Sequence, residues 1–235
     1  RGHGPPGHLT EDTMALTIAI DGPVGAGKST IASMLAHSLG ILHLDTGAMY
    51  RALALKALRE GVDPRDAGAA EALCARTDIR VGLNNGGQRT FLDGEDVTGL
   101  IRTPEVSAAA SAISLAAGVR RDMVLRQRRC AQQADMVVDG RDIGTRVLPD
   151  AAFKFFLTAS PEIRARRRYD ELRAHGVACD YAQVLRELIA RDRQDTTRAV
   201  DPLRRAEDAL EIDSSGMTQE QVVQTMLRVV KERKA

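Results

Sequence analysis

The chain has 235 residues, of which 43% are hydrophobic and 28% charged, with a formal net charge of +1. This length and composition are typical of a globular α/β domain with small insertions. No apolar run approaches the roughly 18 residues that a membrane span needs. Near-neutral charge and only 3% aromatic residues count against a nucleic-acid binder, which needs a basic surface and rings for base stacking. We therefore expect no nucleic-acid partner and no membrane partner.

The amino terminus and the cysteines carry little functional signal. Residues 1–13 are rich in Gly, His and Pro, precede Met14, and lack the apolar segment of a signal peptide. We interpret them as a cloning remnant and Met14 as the natural start. Cys74, Cys130 and Cys179 are too far apart in sequence for a metal-ligand motif or a disulfide framework. This usage fits a reducing compartment and predicts a cytoplasmic protein.

The most informative segment spans residues 16–30. An apolar stretch predicts a buried strand, Gly22-x-x-x-x-Gly27-Lys28-Ser29 follows it, and helical spacing begins directly afterwards. This context indicates a phosphate-binding loop, because inward-facing amides and a helix N-terminus together bind anionic oxygens. Lys28 can reach the β- and γ-phosphates of a nucleoside triphosphate, and Ser29 can ligate Mg²⁺. The alternative is an ordinary glycine-rich turn beside a lysine.

The remaining patterning predicts alternating strands and helices with one antiparallel interruption. In chain order it predicts a strand at 16–20, a helix at 28–39, a strand at 41–44, helices at 48–59 and 69–76, antiparallel strands within 78–97, helices at 104–116 and 119–133, strands at 135–139 and 153–158, helices at 160–175 and 180–195, a strand at 209–213 and a helix at 218–234. The turn Asn84-Asn85-Gly86-Gly87 is typical of a hairpin. The other five strands predict an α/β fold, a doubly wound parallel sheet of the P-loop NTPase type with helices on both faces.

Three of these strands end in polar residues. The segments are Asp21-Gly22, Asp45-Thr46-Gly47 and Asp139-Gly140-Arg141-Asp142. The carboxyl ends of parallel strands lie at one edge of the sheet, and charges gathered there are costly unless a ligand uses them. We therefore predict a substrate pocket at this edge. Simple turn chemistry is the alternative, since Asp-Gly pairs are common in turns.

Two predicted helices carry arginine patterns. Arg164, Arg167 and Arg168 share one helix face by their i, i+3, i+4 spacing, and like charges on one face repel until an anion arrives. This favours a short, mobile helical lid that closes on ATP phosphates, with a solvated arginine face as the alternative. On the next helix, residues 191–198 alternate Arg and Asp at i, i+4 and i+7, which intrahelical ion pairs alone would explain.

Four segments together resemble bacterial cytidylate kinases, a P-loop nucleoside monophosphate kinase family. They are Asp21-Gly22-Pro23-x-Gly25-Ala26-Gly27-Lys28-Ser29-Thr30, Leu44-Asp45-Thr46-Gly47-Ala48-Met49-Tyr50-Arg51, Asp139-Gly140-Arg141-Asp142-Ile143-Gly144-Thr145 and Arg191-Asp192-x-x-Asp195-x-x-Arg198. The resemblance runs from about Leu16 to the C-terminus with order and spacing kept. The first segment is generic to many NTP-using proteins, whereas the second and third are far more specific.

This resemblance implies transfer of the γ-phosphoryl group of ATP to CMP or dCMP, which yields CDP or dCDP. It also implies one kinase unit at 14–235. Its expected parts are a core at 14–61, 104–159 and 196–235, an NMP-binding insertion at about 62–103 that holds the antiparallel strands, and a lid with its following helix at about 160–195. ATP and Mg²⁺ are the expected cofactors, and a monomer is the expected state.

The resemblance further implies a role for individual residues. Those expected to bind ATP are Gly22, Pro23, Val24, Gly25, Ala26, Gly27, Lys28, Ser29 and Thr30, with Ser29 also on the metal. Those expected to act in phosphoryl transfer are Lys28, Arg141, Arg164, Arg167 and Arg168. Those expected to bind CMP are Thr46, Tyr50, Arg51, Ser111, Arg120, Arg141, Asp142, Arg191, Asp195 and Arg198. Within the last set, Arg51 and Arg141 would bind the monophosphate, and Ser111, Arg120, Asp142 and Arg198 the cytosine. Arg191 and Asp195 would contact ribose or phosphate.

Other P-loop proteins remain as alternatives. A switch GTPase is disfavoured, because the Asn-Lys-x-Asp element that reads guanine is absent from the sequence. A kinase of another small acceptor, either UMP or a non-nucleotide, shares the phosphate loop. A nucleic-acid-associated ATPase is less consistent with the charge and the aromatic content.

Overall fold

The computed structural model describes residues 15–84, 87–174 and 176–232. At its centre is a five-stranded sheet in which all strands are parallel. In spatial order the strands are β2 (Leu42–Asp45), β6 (Met136–Gly140), β1 (Thr17–Asp21), β7 (Phe153–Thr158) and β8 (Leu210–Asp213). This arrangement confirms the predicted doubly wound parallel sheet and places the ends of β2, β6 and β1 side by side.

The described part of the fold also contains eight α-helices and a small second sheet. The helices are α1 (Lys28–Leu39), α2 (Thr46–Glu60), α3 (Ala67–Ala75), α4 (Pro104–Ile113), α5 (Ala117–Ala131), α6 (Pro161–Ala174), α7 (Tyr181–Thr197) and α8 (Gln219–Glu232). The second sheet is antiparallel and consists of β3 (Ile79–Asn84), β4 (Gly87–Leu92) and β5 (Glu95–Asp96). Among the described residues, no helix is both long and apolar enough to cross a membrane.

Different helices cover the two faces of the parallel sheet. Side chains alternate along a strand, so Ile18 and Ile20 of β1 face a cluster formed with α1 and α8, whereas Ala19 faces a cluster formed with α5. All three side chains are fully buried. Strands that are apolar on both sides need helices on both faces, which accounts for the unbroken apolar run in the sequence.

A further hydrophobic cluster joins α2, α3, α4 and α5 to the antiparallel sheet. Its largest members include Met49, Leu53, Ile113 and Met123, each at most 1% exposed. Through this cluster, α2, α4 and α5 pack with the insertion expected at 62–103. Helix α5 also packs against the parallel sheet. The boundaries predicted for core, insertion and lid stay predictions.

Two features of the chain trace differ from the sequence analysis. Helix α2 begins at Thr46 rather than 48, because the Asp45 carboxylate accepts a hydrogen bond from the Ala48 amide at 3.1 Å and caps the helix. A π-helical turn, Ile143–Val147, follows β6 and was not expected. The buried Asp21 carboxylate at the end of β1 accepts hydrogen bonds from the first two amides of this turn, at 2.8 and 2.7 Å.

Other helix boundaries differ from the predictions by a few residues. Helix α4 ends at Ile113 rather than at 116, and α5 ends at Ala131 rather than at 133. Several expectations lie outside the described residues: the cloning remnant at 1–13 with Met14 as the natural start, the central turn residues 85–86, residue 175 at the end of α6, and residues 233–234 at the end of α8.

The backbone at Gly22, where the phosphate-binding loop follows β1, lies very close to β7. Its φ is +151°, and a Cβ there would lie 2.0 Å from the carbonyl oxygen of Leu157 on β7. We expect Gly22→Ala to lower the free energy of unfolding by about 3 kcal/mol or more. Gly40 is the matched control, because it also has positive φ but open space around its Cβ position, so Gly40→Ala should cost only about 1 kcal/mol. Denaturant unfolding measures both, and equal losses would contradict the proposed backbone clash.

Candidate active site

A cleft of about 350 Å³ lies at the carboxyl ends of β1, β2 and β6. It runs from the phosphate-binding loop to the residues contributed by α2, α4, α5 and α7. The predicted site residues that line it are Val24, Gly25, Gly27, Lys28, Ser29, Thr30, Thr46, Tyr50, Arg51, Arg120, Arg141, Asp142, Arg191, Asp195 and Arg198. The predicted residues that do not line it are Gly22, Pro23, Ala26, Ser111, Arg164, Arg167 and Arg168.

The loop end of the cleft is built to receive anionic oxygens. Gly25 and Gly27 both have positive φ, and Gly27 precedes α1 without any side-chain cap on the first helical amides. The Lys28 ammonium donates a hydrogen bond to the Pro23 carbonyl at 2.7 Å. The pKa of Lys28 is lowered to about 7, first because burial penalises its charge and then because Arg141 is nearby. Phosphate oxygens at this end would restore the charged form.

Ser29 and Asp139 place two oxygen atoms beside the loop. The Ser29 hydroxyl donates a hydrogen bond to Oδ2 of Asp139 at 2.9 Å, and Asp139 is buried at the end of β6, next to β1. Because the hydroxyl donates its hydrogen to Asp139, its oxygen lone pairs remain available to coordinate a cation. Mg²⁺ prefers hard oxygen ligands and takes few of them from the protein when phosphates supply others. These two residues therefore fit a magnesium ion held together with a nucleotide.

At the opposite end, one carboxylate gathers three arginines. Asp195 is 1% exposed. Its Oδ2 accepts a hydrogen bond from Nε of Arg141 at 3.0 Å and lies 3.5 Å from Nε of Arg191, while its Oδ1 lies 3.9 Å from Arg198. Burial acts to raise the pKa of Asp195, but the guanidinium groups outweigh it and hold that pKa below its usual range. The expected intrahelical ion pairs exist, and Arg141 joins them from the end of β6.

A second carboxylate organises the deep wall of the cleft. Arg120, which is 2% exposed, donates to Oδ2 of Asp142 at 2.5 Å, and Arg198 lies 3.5 Å from the other oxygen of Asp142. The Arg120 guanidinium also lies 5.9 Å from the centre of the Tyr50 ring. Burial raises the pKa of Tyr50, so its hydroxyl stays neutral. This wall therefore presents fixed donors and one ionised acceptor.

The third carboxylate, Asp45, pairs with two arginines. Arg51 of α2 donates to its Oδ2 at 2.6 Å, and the largely exposed Arg102, just before α4, lies 3.8 Å from the same oxygen. Burial acts against ionisation of Asp45, but Arg51, together with the nearby His43 and Arg102, outweighs it and lowers the pKa of the carboxyl group. Arg51 is thereby held at the cleft.

Buried donors without partners mark where a ligand would bind. In the described part of the chain, Nε of Arg51, Nε2 of Gln127 and Nε of Arg191 are buried and make no hydrogen bond, and all three residues line the cleft. An unpaired buried donor costs about 1–3 kcal/mol. Donors that gather in one cleft at this cost suit a ligand rich in acceptor oxygens, as a nucleotide is.

The structure differs from the arginine face expected for Arg164, Arg167 and Arg168 of the lid. The side chain of Arg164 is buried and donates to the carbonyl oxygens of Ala159 and Val24, at 2.8 and 2.9 Å. It also forms an ion pair with Asp192 of α7 at 2.7 Å. Arg164 thus ties α6 to the phosphate-binding loop and to α7, and it does not belong to a repelling arginine face.

The other two lid arginines also have partners within the protein. Arg167 donates to the backbone carbonyl of Ser214, after β8, at 2.7 Å, and Arg168 donates to Glu171 of its own helix at 2.8 Å. The bare cationic face inferred from i, i+3, i+4 spacing is therefore wrong for this conformation, because spacing defines a helix face but not the groups packed against it. Contacts of these arginines with ATP stay a prediction.

Some lining residues were missed by the sequence analysis. Asp139 was noted among the strand ends but given no role, although its place after a buried strand was a usable signal. Arg102 and Gln127 belong to none of the quoted motifs, so no signal marked them. Gln194, which does not itself line the cleft, was also missed, and its amide donates to the Ser111 hydroxyl at 2.8 Å. Ser111 is therefore engaged by α7 rather than turned into the cleft.

A phosphate-binding loop that shares one cleft with an arginine-rich pocket defines a P-loop kinase that phosphorylates a small acceptor. Sequence comparisons specify which kind. The model of the family described as "Cytidylate kinase" matches residues 18–232, and the chain belongs to this family. The resemblance stated from the motifs, and the kinase class it implied, are thereby confirmed.

Curated relatives are similar over almost their whole length. The cytidylate kinase of Pelotomaculum thermopropionicum is 53% identical, with 89% of this chain and 93% of that protein covered. The cytidylate kinase of Caldicellulosiruptor bescii is 50% identical, with 91% of this chain and 95% of that protein covered. A solved structure of an uncharacterized protein from Eubacterium ventriosum has a TM-score of 0.50 and 13% identity, and covers 92% of this chain and 98% of its own. That last likeness concerns the fold alone.

The lowered pKa of Lys28 predicts proton uptake when ATP binds. With a pKa of about 7 in the free protein, Lys28 is mostly neutral at about pH 8, and phosphate charge should return it to the ammonium form. We expect close to one proton to be taken up per ATP at about pH 8, where ATP itself is already fully ionised. Calorimetry in two buffers of different ionisation enthalpy measures this number. The uptake should vanish in Lys28→Met, and equal uptake in that variant would contradict the assignment.

Proposed function

We propose that the chain transfers the γ-phosphoryl group of ATP to the phosphate of CMP or dCMP, the reaction of the family to which it belongs. The observation that supports this best is the single cleft, which joins Lys28 and the loop amides to Arg51, Arg141 and Arg191. An oxygen of the CMP phosphate attacks the γ-phosphorus, and the bond from that phosphorus to the β–γ bridging oxygen breaks, leaving ADP. The attacking oxygen is already anionic, so no protein nucleophile is needed.

The donor half would bind ATP through the loop amides, the N-terminus of α1 and Lys28. Because burial lowers the pKa of Lys28 to about 7 before ATP binds, bound phosphate oxygens would favour its charged form. We propose that Ser29 and Asp139 hold Mg²⁺. When bound, this ion neutralises charge on the β- and γ-phosphate oxygens. The cytoplasmic location and the monomeric state expected from the sequence stay predictions.

The acceptor half would hold the monophosphate among guanidinium groups that are fixed before it arrives. Asp45 orients Arg51, and Asp195 orients both Arg141 and Arg191. The guanidinium N–H groups of Arg51, Arg141 and Arg191 that do not face these carboxylates can then bind phosphate oxygens. Groups that need no reorganisation stabilise the spread charge of the moving phosphoryl group better than mobile ones do.

Base selection would come from the deep wall of the cleft. The C4 amine of cytosine donates hydrogen bonds, and the Asp142 carboxylate, held by Arg120 and Arg198, accepts them. Uracil presents a carbonyl at C4, which would face the carboxylate with no proton between them. A buried polar group left unpaired by the wrong base makes such rejection strong. The side chain of Ser111, which is engaged by Gln194, contributes to the base site only if α7 shifts.

A coupled assay with CMP, dCMP, UMP, AMP and GMP as acceptors tests the reaction. We expect kcat/KM to be highest for CMP or dCMP and at least about 100-fold lower for AMP and GMP, because larger bases leave buried groups unpaired. UMP should fall between these groups. A clear preference for UMP would move the assignment to a different pyrimidine acceptor, and a purine preference, or no activity with any nucleotide, would contradict it.

Removing the charge of Asp142 tests the base-reading step. We expect Asp142→Asn to lower kcat/KM for CMP by about 10² or more and to narrow the preference for CMP over UMP, because an amide can donate to the C4 carbonyl of uracil. Asp150→Asn, at an exposed position outside the cleft, is the matched control and should retain parent kinetics. An unchanged CMP-to-UMP ratio in Asp142→Asn would show that Asp142 does not read the base.

A further inference from the structure

His43 makes a contact that neither the motifs nor the proposed reaction uses. Its Nε2 lies 2.7 Å from Oδ1 of Asp139, while the Ser29 hydroxyl donates to Oδ2 of the same carboxylate at 2.9 Å. The side chain of Asp139 is 4% exposed and that of His43 is 14% exposed. One oxygen of this buried carboxylate therefore contacts an imidazole, and the other accepts a hydrogen bond from a hydroxyl group.

The backbone fixes this arrangement. His43 lies on β2, which pairs in parallel with β6 so that His43 is opposite Val137 and Asp45 is opposite Asp139. His43 and Asp139 are thus diagonal neighbours on adjacent strands. Side chains two residues apart on one strand share a face, so His43 and Asp45 point to the same side of the sheet. The imidazole contacts one oxygen of the Asp139 carboxylate, and Ser29 contacts the other.

The order of the three groups indicates what the imidazole does. An ionised carboxylate only accepts hydrogen bonds, so Nε2 of His43 must carry the hydrogen it shares with Asp139. Among the hydrogen bonds of the described residues, none joins the imidazole to the Ser29 hydroxyl, so the imidazole is not placed as a base on that oxygen. What remains is orientation: the donated hydrogen bond fixes the rotation of the carboxylate, and the carboxylate in turn fixes the direction of the Ser29 hydroxyl.

We propose that His43 is a positioning residue for the donor-side cation, which it serves by holding Asp139 in the rotamer that aims the lone pairs of Ser29 at the ion. This inference rests on the proposed function, because it assumes that Ser29 and Asp139 hold Mg²⁺. A second residue that orients a metal ligand commonly affects metal affinity by 10–100-fold without touching the ion. His43 contacts no reacting atom and is not a catalytic residue.

The surroundings of His43 make it suitable for substitution. It lines a second cavity of about 400 Å³, between α1 and the antiparallel sheet, that also contacts Ser33, Met34 and Thr90. Open space beside the imidazole allows side chains of similar size without overpacking. Gln places an amide nitrogen near the position of Nε2 and can donate to Asp139, whereas Leu fills similar volume and cannot donate.

Comparing His43→Leu with His43→Gln distinguishes an orienting role of the His43 side chain from a packing role. We expect His43→Leu to raise the Mg²⁺ concentration for half-maximal CMP phosphorylation about tenfold, while the KM for CMP at saturating Mg²⁺ stays within twofold of the parent. His43→Gln should return the Mg²⁺ requirement to within about threefold of the parent, because its amide restores the hydrogen bond. His37→Leu, at an exposed histidine in the last turn of α1, is the control and should match the parent.

A direct measurement complements the kinetics. Mn²⁺ serves as a paramagnetic probe, and its binding to the protein with a non-hydrolysable ATP analogue is followed by electron paramagnetic resonance. Weaker Mn²⁺ binding in His43→Leu, rescued in His43→Gln, supports the proposal. Parent-like Mn²⁺ binding and Mg²⁺ dependence in an active His43→Leu protein would overturn it. So would equal loss in both variants, since that would mark a packing role. If the parent itself fails to phosphorylate CMP, the proposed function fails instead.

Discussion

The site depends on buried carboxylates that keep several guanidinium groups close together. Two guanidinium charges about 4 Å apart repel by about 4 kcal/mol at the effective dielectric of a protein surface. Asp45, Asp142 and Asp195 each lie between at least two arginines and offset that repulsion. The arginines are therefore oriented before any nucleotide binds, while their unused N–H groups remain available.

The parallel sheet makes this arrangement possible. Strands β1, β2 and β6 lie side by side and end at one edge, so residues from distant parts of the chain meet there without long loops. Each strand ends in an aspartate or in a segment that carries one. Asp21 secures the turn after β6, Asp45 orients Arg51, and Asp139 supports Ser29. Three carboxylates at equivalent strand ends thus serve different purposes, which their neighbours determine.

Much of the fold followed from patterns that local physics makes reliable. The apolar strand segments and the helical spacing predicted where elements begin and end, and the structure confirms these elements within a few residues. The strand-end rule also placed the cleft. These features can be read from the sequence because the spacing of apolar residues along a strand or a helix involves residues that are close in sequence.

What the sequence did not reveal depends on partners far away in the chain. The π-helical turn needs Asp21, which is 122 residues from Ile143. The burial of Arg164 needs the Val24 carbonyl, 140 residues away, which helix spacing cannot disclose. Gln127 lines the cleft because α5 packs beside α2, and its own neighbours in sequence give no hint of it. Tertiary contacts of this kind decide whether a charged side chain faces solvent, protein or ligand.

The junction between β2 and α2 contains no connecting loop, since Asp45 ends the strand and Thr46 starts the helix. One extra residue at this junction would turn α2 by about 100° about its axis. That rotation would carry Tyr50 and Arg51 off the cleft while leaving the strand in place. The number of residues at this junction is therefore constrained as strictly as their type.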